Sequence, residues 1–300
     1  MAPTRLNAVT GVFSYTGRAI AEELLARGER VRSLSRRDAP EDPLRPLVSV
    51  APLRFEPDAL EDALGGASTL YNTYWIRFER GGRTFDEAVA RTVMLFRAAE
   101  RAGVQRIVHV SVSQPARGAD AGLPYFRGKV RLEEWLGGSG LAHAIVRPTL
   151  VFGPEDILVN NIAWMLRRFP VFLVPGDGSY EVQPVSVRDT ARICVDAEGT
   201  VDAAGPERIA FDSLVRLVRD ATGSWARVIH GPASVGVALT SIAGACLHDR
   251  VLTRDEVTGL TRSLLVGDSV TGGDRFSDWV IDNADMLGRR YVSELARNFH

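Results

Sequence analysis

Lysine is almost absent from this sequence. Of its 36 basic residues, 35 are arginine and one, Lys129, is lysine. A bias of that size points to genomic base composition, and it draws attention to the one ammonium that remains. Cysteine is scarce as well. Cys194 and Cys246 are the only two, too few for a disulfide framework or a thiolate metal site and in keeping with a reducing compartment. The histidines at 109, 143, 230, 248 and 300 show no paired ligand spacing, so no metal is expected. Net charge is nearly balanced, with 36 basic against 37 acidic residues, which argues against nucleic acid or a membrane surface as partner. Long hydrophobic runs are missing too. The most apolar later stretch, 233–247, is diluted by Ser, Thr and Gly and is shorter than a membrane span, so it reads as a buried helix or core segment. A strand pattern begins at once rather than after a leader, and a cytoplasmic location is expected.

What is present is alternation. Leu6 to Val9 is a short apolar run, Arg18 to Arg27 is helical with Ile20, Leu24 and Leu25 on one face, and Gly28 ends it. Further strands are expected at 31–35, 48–55, 69–74, 106–112 and 144–148, with helices at 58–64, 85–102 and 123–136 between them. This order predicts an α/β doubly wound parallel sheet over residues 1–150. The pattern loosens beyond it. Residues 151–300 are expected to form a mixed, smaller C-terminal lobe facing substrate, with a segment near 180–190 returning to the sheet. Helices are expected there at 156–168 and 211–221, and the capping-box spacing Thr253-Arg254-Asp255-Glu256 starts another.

Three motifs carry chemistry. Gly11, Ser14 and Gly17 form a G-x-x-G-x-x-G frame, its middle glycine replaced by serine, between the first strand and first helix. Such a turn holds a dinucleotide pyrophosphate on backbone N–H groups and the positive helix end. About 20 residues on, where an acidic side chain would hold the ribose 2′-hydroxyl, stand Arg36 and Arg37. Guanidinium groups suit a 2′-phosphate, so NADP is favoured, with NAD still open. Tyr125 and Lys129 are four residues apart and share a helix face. A neighbouring cation lowers a phenol's affinity for its proton, which suits acid–base work on a carbinol oxygen during hydride transfer. Ser111 and Ser113 end the fifth strand, where ligands of such sheets sit.

Together with Arg147-Pro148, these residues resemble the short-chain dehydrogenase/reductase superfamily. The likeness is to its extended and atypical branches: the NAD-dependent epimerase/dehydratase proteins and their NmrA-like and complex I 39-kDa-subunit-like relatives. The resemblance implies a Rossmann sheet and covers most of the chain. It implies Tyr125 as the acid–base group, Lys129 as holder of the nicotinamide ribose, and Ser113, better than Ser111, as the group polarising substrate. Gly11, Ser14, Tyr15, Thr16 and Gly17 would line the pyrophosphate, with Arg36 near the adenosine. Asn72, Thr73 and Pro148 would flank the nicotinamide. Asn160 and Asn161 become candidates to bind a polar substrate, and Arg167-Arg168 to meet a diphosphate.

The expected activity is that of an NAD(P)-dependent oxidoreductase or epimerase-like enzyme acting on a small molecule, as monomer or homodimer. The alternative is an NADP(H)-binding redox sensor or assembly protein without turnover. Two departures from the family's pattern stand out: Ser14 itself, and the bulky run Asn72-Thr73-Tyr74-Trp75.

Overall fold

In a parallel sheet covered on both sides, every strand must bury both faces, and the apolar runs of this chain meet that demand. The computed structural model describes residues 5–36, 38–232 and 253–293, together with 234 and 295. The first unit comprises residues up to Pro148 together with Val187–Ala203. Its strands are β1 (Leu6–Thr10), β2 (Arg30–Ser35), β3 (Ser49–Pro52), β4 (Thr69–Asn72), β5 (Arg106–Val110), β6 (Ala142–Pro148) and, much later in the chain, β11 (Gly199–Ala203). They lie in the order β3-β2-β1-β4-β5-β6-β11, all parallel. The order reverses direction between β1 and β4, which is the topological switch point of a Rossmann sheet.

The helices of this unit are α1 (Tyr15–Ala26), α2 (Pro57–Leu64), α3 (Phe85–Arg101), α4 (Pro115–Asp120), α5 (Pro124–Gly138) and α7 (Val187–Asp196). Strand alternation sorts the core into two layers. Ala8, Leu70, Ile107 and Ile145 meet Leu60, Phe96 and Leu132 of α2, α3 and α5. Val9, Tyr71, Val108 and Ala144 meet Ile20, Leu24, Ala191 and Cys194 of α1 and α7. Local signals set the helix ends. Thr84 accepts from the Glu87 N–H at 3.1 Å to start α3, and acidic Asp86 and Glu87 suit the positive end of that helix.

The sheet-returning segment lies later than the 180–190 expected: it is 187–203, helix then strand. Residues 181–186 hold two short strands, and helix α7 starts at Val187.

The second unit is Thr149–Ser186 with the chain from Ala204 onward. It contains β7 (Leu150–Phe152), α6 (Leu158–Arg168), β8 (Val171–Pro175), β9 (Glu181–Val182), β10 (Pro184–Ser186), β12 (Ile209–Ala210), α8 (Phe211–Ala221), β13 (Arg227–Gly231), α9 (Arg254–Thr261) and α10 (Phe276–Asp282). Among the described residues its strands pair two by two, β10 with β7, β12 with β9 and β13 with β8. Phe152, Phe211, Leu214 and Phe276 fill its core. The capping box at α9 forms as its spacing predicts. Thr253 N–H donates to the Glu256 carboxylate at 2.8 Å, and Glu256 N–H donates to Thr253 Oγ1 at 3.2 Å. The apolar stretch 233–247 falls almost wholly outside the described residues.

Candidate functional site

The first turn after β1 is built for close approach. Gly11 has φ +69°, a backbone conformation that favours glycine. A Cβ on Gly17 would lie 2.2 Å from the Gly11 carbonyl oxygen, so only glycine lets α1 come this near the turn. Ser14 is the N-cap residue of α1, yet its side chain does not cap the helix. Its hydroxyl donates instead to the Gly11 carbonyl at 2.5 Å. The serine thus ties the turn to itself. No acidic residue occupies the first turn of α1, and Tyr15, Thr16 and Gly17 present their amides at its positive end. An uncapped helix N-terminus behind a glycine turn fits the pyrophosphate of a dinucleotide.

The Gly11 N–H donates to the Leu34 carbonyl at 3.0 Å, which ties the turn to the end of β2. Arg36, two residues further on, is exposed. Its sequence partner Arg37 lies outside the described residues.

Across the switch point, Thr10 and Thr73 clamp β1 to the segment after β4. Thr10 Oγ1 accepts from the N–H groups of Thr73, at 2.7 Å, and Tyr74, at 3.1 Å. The Thr73 hydroxyl donates back to the Thr10 carbonyl at 2.6 Å. Thr73 is thereby fixed beside the end of β1, half-buried. Asn72 is placed differently. It is fully buried, its Oδ1 accepting from Tyr74 N–H at 3.2 Å and its Nδ2 standing 3.0 Å from His109 Nδ1. With its oxygen engaged, Asn72 donates to Nδ1, and the imidazole proton then sits on Nε2, which has no partner among the described residues. Asn72, expected beside the nicotinamide, is thus held inside the sheet core against His109.

Tyr125 and Lys129 lie one turn apart on α5, and both meet Trp75. The Lys129 ammonium is buried, donates to the Val110 carbonyl at 2.9 Å, and sits 4.6 Å from the centre of the Trp75 ring. Tyr125 meets Trp75 and Phe85 edge-on, with ring centroids 5.9 Å apart in each case. Gly128 makes this packing possible, because a Cβ there would come within 2.6 Å of the Trp75 ring. The glycine that weakens the helix is the one that lets Trp75 in.

Ser113 is buried, and its N–H donates to the Pro148 carbonyl at 2.9 Å, joining two expected site residues. The Ser111 hydroxyl is spent on the Glu133 carboxylate at 2.5 Å. Glu133 is the residue that sequence reasoning missed. It stands one turn beyond Lys129 and takes two bonds from Arg147, at 3.1 and 2.5 Å. Its signal was the i, i+4, i+8 series Tyr125, Lys129, Glu133 along one helix face.

Two bases are buried here, and both resist protonation. Burial pushes the Lys129 amine down to about 7, with Glu133 opposing the shift. Burial, and then the nearby Lys129 charge, hold His109 well below the ordinary histidine value. An unfolded chain would bind protons at a lysine below about pH 10.4 and at a histidine below about pH 6.5. For Lys129 the unfolded state is the more protonated between about pH 10.4 and 7, and for His109 below about pH 6.5, so stability falls as pH drops through both windows. Urea midpoints are expected to rise from pH 6 to pH 9, and Lys129→Met to flatten the part above pH 7. An unchanged slope in that variant would contradict a Lys129 amine whose proton affinity burial has weakened.

In the second unit, Asn160 and Asn161 are committed to their own fold. Asn160 Nδ2 donates to the Asp156 carbonyl at 3.0 Å. Asn161 exchanges two bonds with the backbone of Val292, at 3.0 and 2.9 Å. The Arg167 guanidinium is likewise spent on the carbonyls of Leu287, Thr222 and Ala284. The side chains expected to meet a polar substrate or a diphosphate thus make these bonds within the fold.

A family model described as NAD(P)H-binding matches residues 13–157. That match spans just under half of the chain. Two proteins share its sequence more widely. A mitochondrial NADH dehydrogenase [ubiquinone] 1 alpha subcomplex subunit 9 from Arabidopsis thaliana is 24% identical, over 87% of this chain and 71% of that protein. The sterol demethylase protein B of Methylococcus capsulatus is 34% identical, over 54% of this chain and 56% of that protein. Among solved structures, the NADPH-dependent quinone oxidoreductase QOR2 of Escherichia coli, complexed with NADPH, matches with a TM-score of 0.74 at 18% identity, over 94% of this chain and 99% of that one. The sheet order and the glycine turn after β1 agree with the Rossmann-like fold of that structure. Among the described residues, no helix is long and apolar enough to cross a membrane.

Proposed function

We propose that this protein is an NADP(H)-preferring oxidoreductase or epimerase-like enzyme that moves a hydride at a hydroxyl or carbonyl carbon of a small molecule. The observation behind this reading is the only lysine of the chain, buried on the Val110 carbonyl at the carboxyl end of β5, one helical turn from Tyr125. Gly11, Ser14, Tyr15, Thr16 and Gly17 would hold the pyrophosphate, Arg36 the 2′-phosphate, and Thr73, Lys129 and Pro148 the nicotinamide side. When bound, the nicotinamide supplies or accepts the hydride. Tyr125 gives or takes the proton at the substrate oxygen, Lys129 favours its phenolate, and Ser113 steadies charge developing on that oxygen.

The test is direct. Purified protein is titrated with NADPH and NADH, its five tryptophans as reporters, and nicotinamide absorbance is followed with a panel of carbonyl compounds and alcohols. Arg36→Gln is expected to weaken NADPH binding about tenfold and to leave NADH within about twofold, since a charge-assisted bond to a phosphate is worth roughly 1.5–3 kcal/mol. Equal losses for both nucleotides would remove the role given to Arg36.

A second reading, an NADP(H)-binding protein without turnover, draws on Trp75. Its ring lies over the Lys129 ammonium and against the Tyr125 ring, and the plant relative is by name a subunit of a larger dehydrogenase. Net oxidation or reduction of nicotinamide with any member of the panel would dismiss this reading.

A further inference from the structure

The ammonium of Lys129 needs more than one carbonyl and one ring to stay charged in the core. Its exposed fraction is 2%, and taking a charge from water into a protein interior costs far more than a single neutral hydrogen bond returns. The groups packed around it come from β5, the segment after β4 and α5 itself. Val110 on β5 offers its carbonyl, and Trp75 after β4 offers a ring face. His109 on β5 is neutral. Glu133, one turn further along α5, is bonded to Ser111, the neighbour of Val110, and its negative charge favours the ammonium.

Glu133 is itself unusually fixed. Its side chain is 10% exposed, one oxygen accepts from Ser111 and Arg147, and the other from Arg147. Those partners stand at the ends of β5 and β6, so the carboxylate is held by the sheet as well as by its own helix. Arg147 has a second effect. A cation paired with Glu133 competes with Lys129 for the same negative charge.

We propose that Glu133, held by Arg147 and Ser111, is a positioning residue that fixes a negative charge near the carboxyl end of β5 and so favours the charged form of the buried Lys129, while Arg147 limits how strongly it does so. The proposal rests on the reading of Lys129 as a working cation. Its chemistry can nevertheless be read without cofactor or substrate, because the chain has a single lysine. Protein grown with lysine enriched in 13C at Cε gives one side-chain signal, and its chemical shift against pH reports the Lys129 proton alone.

Glu133→Gln is expected to lower the Lys129 midpoint by about one pH unit, a tenfold loss of proton affinity. Arg147→Gln is expected to raise it by a similar amount, and Glu133→Asp to hold it within about half a unit of the unaltered chain. Opposite signs are the signature. A merely structural role would let water in with either variant and move both midpoints upward, toward the ordinary lysine value. That result, or no movement in either, overturns the proposal. Where Glu133→Gln does not fold, the rise in Arg147→Gln and the constancy of Glu133→Asp decide. A Lys129 that responds to Glu133 in a chain that turns nothing over refutes only the enzyme reading. An unresponsive Lys129 in an active chain refutes only the role of Glu133.

Discussion

Replacing Tyr125 with phenylalanine is expected to lower turnover roughly 10²- to 10⁴-fold, the range for losing a positioned general acid or base. NADPH affinity is expected to stay within about twofold. The two expectations separate because the substitution removes one oxygen and keeps the ring. The ring is what packs edge-on against Trp75 and Phe85, so the aromatic cluster and the helix position of Lys129 survive. Stopped-flow measurement of nicotinamide absorbance, with substrate saturating, checks the first part, and a fluorescence titration checks the second. Undiminished turnover would remove Tyr125 from the chemistry, whatever else the domain does.

The second large effect is expected at Gly17. A methyl group there would meet the Gly11 carbonyl at 2.2 Å and the Thr10 carbonyl at 2.8 Å. Neither atom belongs to a side chain that could swing aside, so the turn or the helix must move. Overpacking of this kind typically costs about 1–3 kcal/mol. The larger consequence falls on nucleotide binding, because the displaced atoms belong to the turn that would cradle the pyrophosphate. Gly17→Ala is expected to weaken NADPH binding roughly 100-fold, equivalent to about 2.7 kcal/mol, and to lower the thermal midpoint. Calorimetric titration and a melting curve read the two effects separately. Full affinity in this variant would move the phosphate site away from the turn after β1.

Most of the sheet was legible because its strands repeat one demand, apolar side chains on alternate faces, between helices that end in glycine. Gly28 and Gly103, with φ of +79° and +74°, close α1 and α3 where the sequence suggests. The seventh strand was not legible. Gly199-Thr200-Val201-Asp202-Ala203 lies at the sheet edge with only Ala203 fully buried, so its pattern carries little of that demand.

In the site, glycine positions could be read from the frame, since a turn constrains its backbone directly. Side-chain direction could not. Asn72 ends β4, where one step along the strand decides between crevice and core, and His109 drew it into the core. Glu133 looked like any helix-surface acid four residues after a lysine. Only the fold brings Arg147 from β6 onto its carboxylate. Asn160 and Asn161 show the same limit from the other side. Two adjacent amides suggest ligand contacts, but pairing with Asp156 and with the Val292 backbone uses them within the fold.

The late arrival of β11 bears on how the chain is made. β6 is finished by Pro148, but its outer neighbour spans 199–203, so a ribosome must add about fifty residues before that edge is paired, a matter of seconds at ordinary elongation rates. During that interval β6 presents a bare row of N–H and C=O groups along a largely apolar strand, the kind of edge that recruits other chains. A nascent chain stalled short of residue 199 should therefore bind trigger-type chaperones or self-associate, and one released past 203 should do neither. The order of the segments along the gene thus sets a hazard that the finished sheet no longer shows.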